Sequence, residues 1–116
     1  MKNYVAIFRV PTATMDEWLK STPKEEMDAQ MKKMGDDMTA WMVKHASSFV
    51  GKGMPLGKTK TVSSTGVVDN RNDLNYLQMV QADSHEAACA IFADCPHVTI
   101  PDSTVDVMES RTDMGM

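Results

Sequence analysis

Residues 3–10, NYVAIFRV, alternate in the manner of a strand, yet they carry apolar side chains on both faces. Successive strand residues point to opposite sides. Tyr4, Ala6, Phe8 and Val10 therefore share one face, and Val5 and Ile7 the other. Two later runs repeat the pattern. In residues 74–82, LNYLQMVQA, Tyr76 and Val80 oppose Leu77 and Met79; in residues 104–110, TVDVMES, Val105 and Val107 oppose Met108. A sheet covered by helices on one side only should read polar on its wet side. This one reads apolar on both. Monomers rarely expose apolar patches beyond a few hundred Å², so the pattern predicts a second copy packed face to face about a two-fold axis. The expected assembly is a homodimer through the open sheet face, its two sheets forming a barrel with the helices outside.

The remaining segments supply the helices. Thr14 and Glu17 have capping-box spacing ahead of Trp18 and Leu19, which predicts a short helical turn. Thr22-Pro23-Lys24-Glu25 reads as an N-cap threonine, a proline at the first helical position and a glutamate at the third. From there Met27, Met31, Met34, Met38, Trp41 and Met42 recur at steps of three and four, one face of a long helix ending near residues 46–48. Gly35 costs that helix about 1 kcal/mol relative to alanine, so a close-packed neighbour is expected there. Phe49 and Val50 open an extended segment that glycines and Pro55 interrupt and that resumes over residues 58–64; residues 66–73 read as a polar loop. Asp83-Ser84-His85-Glu86 is a second capping signature, and Ala87, Ala88, Ile91, Phe92 and Cys95 form the apolar face of the helix it starts. Pro96 stops that helix, and Pro101-Asp102-Ser103 has turn chemistry. The tail TDMGM is expected to fray. The order is β-α-β-β-α-β, which predicts an α+β fold: a ferredoxin-like sandwich with a four-stranded antiparallel sheet and two helices on one face.

Size and charge narrow the function. The 116 residues suffice for one domain, residues 1–116, and no apolar run approaches the length of a spanning helix. A net charge of −4 lacks the basic face of a nucleic-acid binder and offers no polybasic membrane patch. The start of the chain reads as a first strand of a cytoplasmic protein rather than a leader. Cys89 and Cys95 lie six apart on the predicted helix and point to different sides, so they are expected as buried or half-buried thiols.

The run Gly51-Lys52-Gly53-Met54-Pro55-Leu56-Gly57-Lys58-Thr59 imitates a nucleotide phosphate loop. A Walker loop needs a glycine five positions before its Gly-Lys-Thr, and that position is Lys52. Such a loop also joins a strand to a helix, whereas here a helix precedes and an extended segment follows. The run instead reads as a bent or bulged strand. Lys52, Lys58 and Lys60 suit either an anion or a solvated edge.

Several side chains carry chemistry. Arg9 lies beside an apolar cluster, where it would hold a substrate carboxylate or else snorkel to water. Tyr76 and Gln78, polar-tipped on one strand face, would line a ligand cavity or bond across the dimer seam. His97 and Asp102 flank a short loop as a candidate acid–base pair, or serve loop backbone groups. Glu109, in register with Val105 and Val107, is either a buried carboxylate or lies past the buried span. Trp41 and the methionine stripe read as core, with a lipophilic pocket between the long helix and the sheet as the functional version. His85 and Cys89 stand at i and i+4, but no third metal ligand joins them. His45 suits the end of the long helix through its dipole. A redox role for either cysteine requires a reactive thiol.

Ala40-Trp41-Met42, Gly53-Met54-Pro55-Leu56-Gly57 with residues 59–62, Ala82-Asp83-Ser84-His85-Glu86-Ala87-Ala88, Cys95-Pro96-His97 and Val105-Asp106-Val107-Met108-Glu109 together resemble the YCII-related family of small proteins. One branch of that family is named for a DGPF tetrapeptide. The resemblance spans nearly the whole chain and implies a dimeric α+β barrel. DGPF itself is absent, the loop reading Val67-Val68-Asp69-Asn70-Arg71-Asn72-Asp73, and Asp36 falls near the place of a helix histidine discussed as catalytic in some members. No catalytic residue is carried over. Related barrels include isomerases, lyases and dehalogenating enzymes. The expectation is a small organic molecule bound between the long helix and the sheet, with isomerase- or lyase-type proton transfer and no metal or nucleotide cofactor. The alternative is a non-enzymatic regulatory or interaction module on the same dimeric scaffold.

Overall fold

The computed structural model describes residues 1–111. Over these the chain runs β1 (Lys2–Arg9), α1 (Thr12–Ser21), α2 (Lys24–Lys44), a 3-10 turn (Ala46–Ser48), β2 (Phe49–Pro55), β3 (Thr59–Ser63), β4 (Gly66–Asn70), β5 (Leu74–Ala82), α3 (His85–Phe92), a second 3-10 turn (Pro96–Thr99) and β6 (Thr104–Glu109). The fold is α+β. Four strands form one antiparallel sheet in the order β2-β5-β1-β6, and β3 and β4 pair as a separate ribbon. The tail TDMGM lies outside the described residues.

The ribbon corrects the expected single broken strand and polar loop. Thr59–Ser63 reverses through Ser64 and Thr65 and pairs with Gly66–Asn70, with Val62 opposite Val67 and Thr61 opposite Val68. Gly66 takes φ 129°, a region that side chains rarely enter, and the reversal depends on it.

The core lies on one face of the sheet. Tyr4, Ala6, Phe8 and Val10 are buried, as their alternation predicts, with Val80, Ala82, Ala88, Ile91, Phe92 and Cys95. α3 begins as expected: the Ser84 hydroxyl accepts the Ala87 N–H at 3.1 Å. It ends at Phe92, before Cys95, so the two cysteines do not share a helix. Cys95 is buried, but Cys89 is exposed rather than half-buried.

The long helix departs further from its reading. Its cap is Pro23, with no side-chain cap bond; Thr22 stays extended at ψ 122°. A residue before proline is pushed out of helical geometry, which explains why this threonine does not cap. α1 likewise follows Pro11 directly. In α2 the only buried residue is Trp41. Met38 and Met42 pack against the core, while Met31 is 63% exposed. The methionine stripe is one face of the helix, but only its C-terminal end meets the sheet. Nothing packs within 4 Å of where a Gly35 side chain would sit, so the expected close neighbour is missing. α1 buries no residue. It is tied by Trp18 Nε1–H donating to Gln30 and by Arg71 paired with Asp16 at 2.9 Å.

The molecule is consequently spread out. Its radius of gyration is 16.2 Å, where a compact chain of this length has about 13 Å. Among the described residues no helix is long and apolar enough to cross a membrane.

Candidate functional site

The sheet face opposite the core is the most unusual surface. Register sets its residues in rows. Val50, Met79, Val5 and Met108 lie side by side across all four strands, and Met54, Leu77, Ile7 and Asp106 form the next row. Met54 and Met108 are exposed and the other apolar members half-buried.

Arg9 closes this face at the end of β1, just past an irregularity between Phe8 and Arg9. Its guanidinium donates to both oxygens of Asp73, at 2.9–3.1 Å, and to Asp106 at 2.9 Å. The bond to Asp106, followed by that to Asp73, raises its already high pKa. Arg9 thus holds two carboxylates of its own chain, a cluster with one more negative charge than positive.

Tyr76 and Gln78 sit on the core face, where β2 bulges between Val50 and Met54. The bulge leaves backbone groups without ladder partners. Gln78, 2% exposed, repairs this: its Nε2 donates to the Gly51 carbonyl at 3.2 Å and to the Met79 carbonyl at 2.8 Å. Gly51 has φ 71°, and Gly53 leaves room for the Tyr76 ring. The glycine run is therefore a bulge built around two β5 side chains. Tyr76 packs on Phe8, ring centroids 5.2 Å apart.

Trp41 lies in the core, its indole N–H donating to the Ile91 carbonyl at 3.0 Å, with Phe49 and Phe92 about its ring at 5.4 and 5.5 Å. The space between α2 and the sheet is occupied here by aromatic rings. His97 is buried against Phe8, at 5.0 Å between rings. Its Nε2 faces the Arg9 carbonyl at 3.0 Å and the Thr104 carbonyl at 3.2 Å, so that nitrogen carries the proton. Burial lowers the imidazole pKa below its usual value, against the upward pull of those two bonds. His97 thereby joins the end of β1 to the start of β6. It does not meet Asp102, which is exposed in a turn at φ 59°. Glu109 is exposed at the end of β6, past the buried span. With burial the first cause, it helps raise the Tyr4 phenol pKa.

The seven candidates do not converge. Arg9 lies on the uncovered face, Trp41, Tyr76, Gln78 and His97 on the core face, and Asp102 and Glu109 in solvent. Of the others, His85 bonds the Val107 carbonyl at 2.8 Å and stacks on Tyr4 instead of facing Cys89. His45 and Lys44 both bind Asp94, tying the end of α2 to the chain after α3, and the Lys44 bond first of all holds the Asp94 pKa down at about 2. Among the described residues no group of three His, Cys, Asp or Glu could hold a metal ion. Burial pushes the Cys95 thiol up to about 11, which makes it a poor nucleophile.

One feature escaped the sequence reading: an open cleft of about 630 Å³ at the ribbon root, lined by Lys58, Lys60, Asn70, Arg71, Asn72 and Asn75 among others. Its polar groups are largely engaged, Lys60 with Asp69 at 2.6 Å, Asn70 with Thr61 and Asn72 with Thr59. The Asn-Arg-Asn run was its only signal, and such runs also mark ordinary turns. No family model matches the chain, and no curated protein matches it.

Proposed function

We propose that this chain is a YCII-like protein of ferredoxin-like fold that works as a homodimeric, non-enzymatic interaction module, two copies closing their uncovered sheet faces into a barrel. The strand order β2-β5-β1-β6 supports the fold reading. Setting the ribbon and α1 aside, β1-α2-β2 and β5-α3-β6 are two split βαβ halves.

The two apolar rows on the uncovered face carry the dimer reading. A further quantity agrees with it. The chain exposes 8265 Å², where a folded monomer of its mass exposes roughly 6,300 Å². A standard interface takes about 800 Å² from each partner, well within that excess. The non-enzymatic reading is supported by how three polar side chains are used: Gln78 Nε2, His97 Nε2 and the Arg9 guanidinium each bond groups of their own chain.

Sedimentation equilibrium tests the proposal. At micromolar concentration the protein should behave as a particle of twice the 12.9 kDa chain mass. Ile7→Asp, which sets a charge in the middle of the uncovered face, should halve it. A wild-type monomer at that concentration defeats the proposal.

The Arg9 cluster favours a second reading, a small-molecule site with proton-transfer chemistry. Its surplus carboxylate is a proton acceptor beside a cation that binds carboxylates. An NMR screen with small hydroxy- and oxo-acids would shift the amides of Arg9, Asp73 and Asp106 on this reading. Spectra without such shifts reject it.

A further inference from the structure

Closing the sheets accounts for only part of the excess surface. The uncovered face is four strands wide and at most nine residues long, a footprint of roughly 600 Å² at ordinary strand spacings. The excess over a compact monomer is roughly 2,000 Å². Among the described residues, α1, the first half of α2 and the β3–β4 ribbon bury little or nothing.

The ribbon is the least self-sufficient of these. An isolated two-stranded hairpin is marginal in water. Here Val62, Val67 and Val68 are 76%, 60% and 61% exposed. Val62 and Val67 are cross-strand partners, so they share a face, next to the Lys60–Asp69 pair.

We infer that the β3–β4 ribbon is an arm that lies on a second copy of the chain, with Val62 and Val67 pressed against it. The inference rests on the dimer proposed above and extends its interface beyond the sheet. Three observations point to a second copy. The excess surface is larger than the sheet face can absorb. The ribbon roots follow β2 and lead into β5, the strands that place Val50, Met54, Leu77 and Met79 on the uncovered face, so a copy docked there lies next to the arm. Charge also fits. Residues 56–73, between β2 and β5, hold three cations, Lys58, Lys60 and Arg71, against two carboxylates, Asp69 and Asp73, in a chain of net charge −4. The rest of each copy is therefore acidic and does not repel this slightly basic segment.

The test pairs Val62→Thr with Val67→Thr, which keeps β-branching and strand propensity while removing apolar surface. The dimer dissociation constant should rise by about tenfold or more. Hydrogen exchange gives a second readout. Ribbon amides should exchange slowly in the wild-type dimer and quickly in the Ile7→Asp monomer, or in wild type diluted to monomer should that variant not fold. An unchanged dissociation constant overturns the inference, as does a ribbon that exchanges equally fast in dimer and monomer. Either result in a wild-type dimer leaves the sheet-face reading standing, whereas a wild-type monomer removes both.

Discussion

Replacing Gly53 by alanine should destabilise the chain by about 1–3 kcal/mol, the usual range for overpacking. The backbone is not the cause, because Gly53, unlike Gly51, does not occupy the left-handed region. The cause is space. A Cβ there would lie 2.0 Å from Tyr76 Oη, 2.3 Å from Cζ and 2.4 Å from Cε1. Carbon contacts settle near 3.5–4.0 Å, so the ring must give way by more than about 1 Å. It is held by Phe8. Losing that ring pair costs about 0.5–1.5 kcal/mol, and forcing the tyrosine off its rotamer costs about 0.5–1.5 kcal/mol more. Gly35→Ala is the control of opposite sign. It meets no atom within 4 Å, and alanine in a helix interior stabilises by up to about 1 kcal/mol. Urea unfolding followed by tryptophan fluorescence, at one protein concentration because a dimer dissociates on dilution, reads both. The midpoint of Gly53→Ala should fall by about 1–2 M. In a Tyr76→Ala background the same substitution should cost almost nothing. An equal cost with and without the Tyr76 ring would show that the clash is not the reason, and a change below about 0.5 kcal/mol in wild type would refute the overpacking itself.

His97 predicts a pH dependence. Its folded pKa lies below the ordinary 6.5, so between the two values the unfolded chain binds more protons and stability falls as pH drops below about 6.5. His97→Gln should flatten the part of the stability profile that declines below about pH 6.5; an unchanged slope would contradict the assignment. Asp94 works in the same direction from a lower range. Its contribution is complete above 3.8 and is lost as pH falls toward about 2, so Asp94→Asn should lower the plateau above that range and flatten the decline at the acid end of the same profile. The thiols should separate cleanly in a disulfide-exchange assay. Cys89, exposed, reacts at once and Cys95, buried, only on unfolding; two equally fast thiols would contradict the burial of Cys95.

What the sequence revealed depended on whether a segment meets the core. Residues 74–82 are β5 to the residue, and the Ser84 cap holds, because each is determined by neighbours in the chain or by plain alternation. The ribbon was hidden for the converse reason. It packs on nothing within its own chain, so its two faces show no apolar–polar contrast, and Val67 and Val68 disappear beside Asp69-Asn70-Arg71-Asn72. The methionine stripe shows that periodicity marks a face without saying how far the cover extends. The candidate site residues stand out by chemical type, but their partners are distant in sequence. Arg9 finds Asp73 and Asp106 at separations of 64 and 97 residues, and His97 reaches the Arg9 carbonyl across 88. No spacing rule links such groups; only the antiparallel register brings them together.

The same register says how two copies can close. Along β1 the uncovered face changes from the wholly apolar Val5 row, through the Ile7 row that ends in Asp106, to Arg9 with its two carboxylates. Apolar rows gain from burial in proportion to area. An ionic cluster with a surplus charge costs several kcal/mol when stripped of water. A two-fold axis near the Val5 row buries the first and leaves the second at the rim, whereas an axis near Arg9 would bring two net negative clusters together. In an assembly closed in that way, the rim leaves Arg9 within reach of a small acid. The dimer and the small-molecule reading therefore do not compete for the same surface: the apolar rows serve the first, and only the charged end of the face is open to the second.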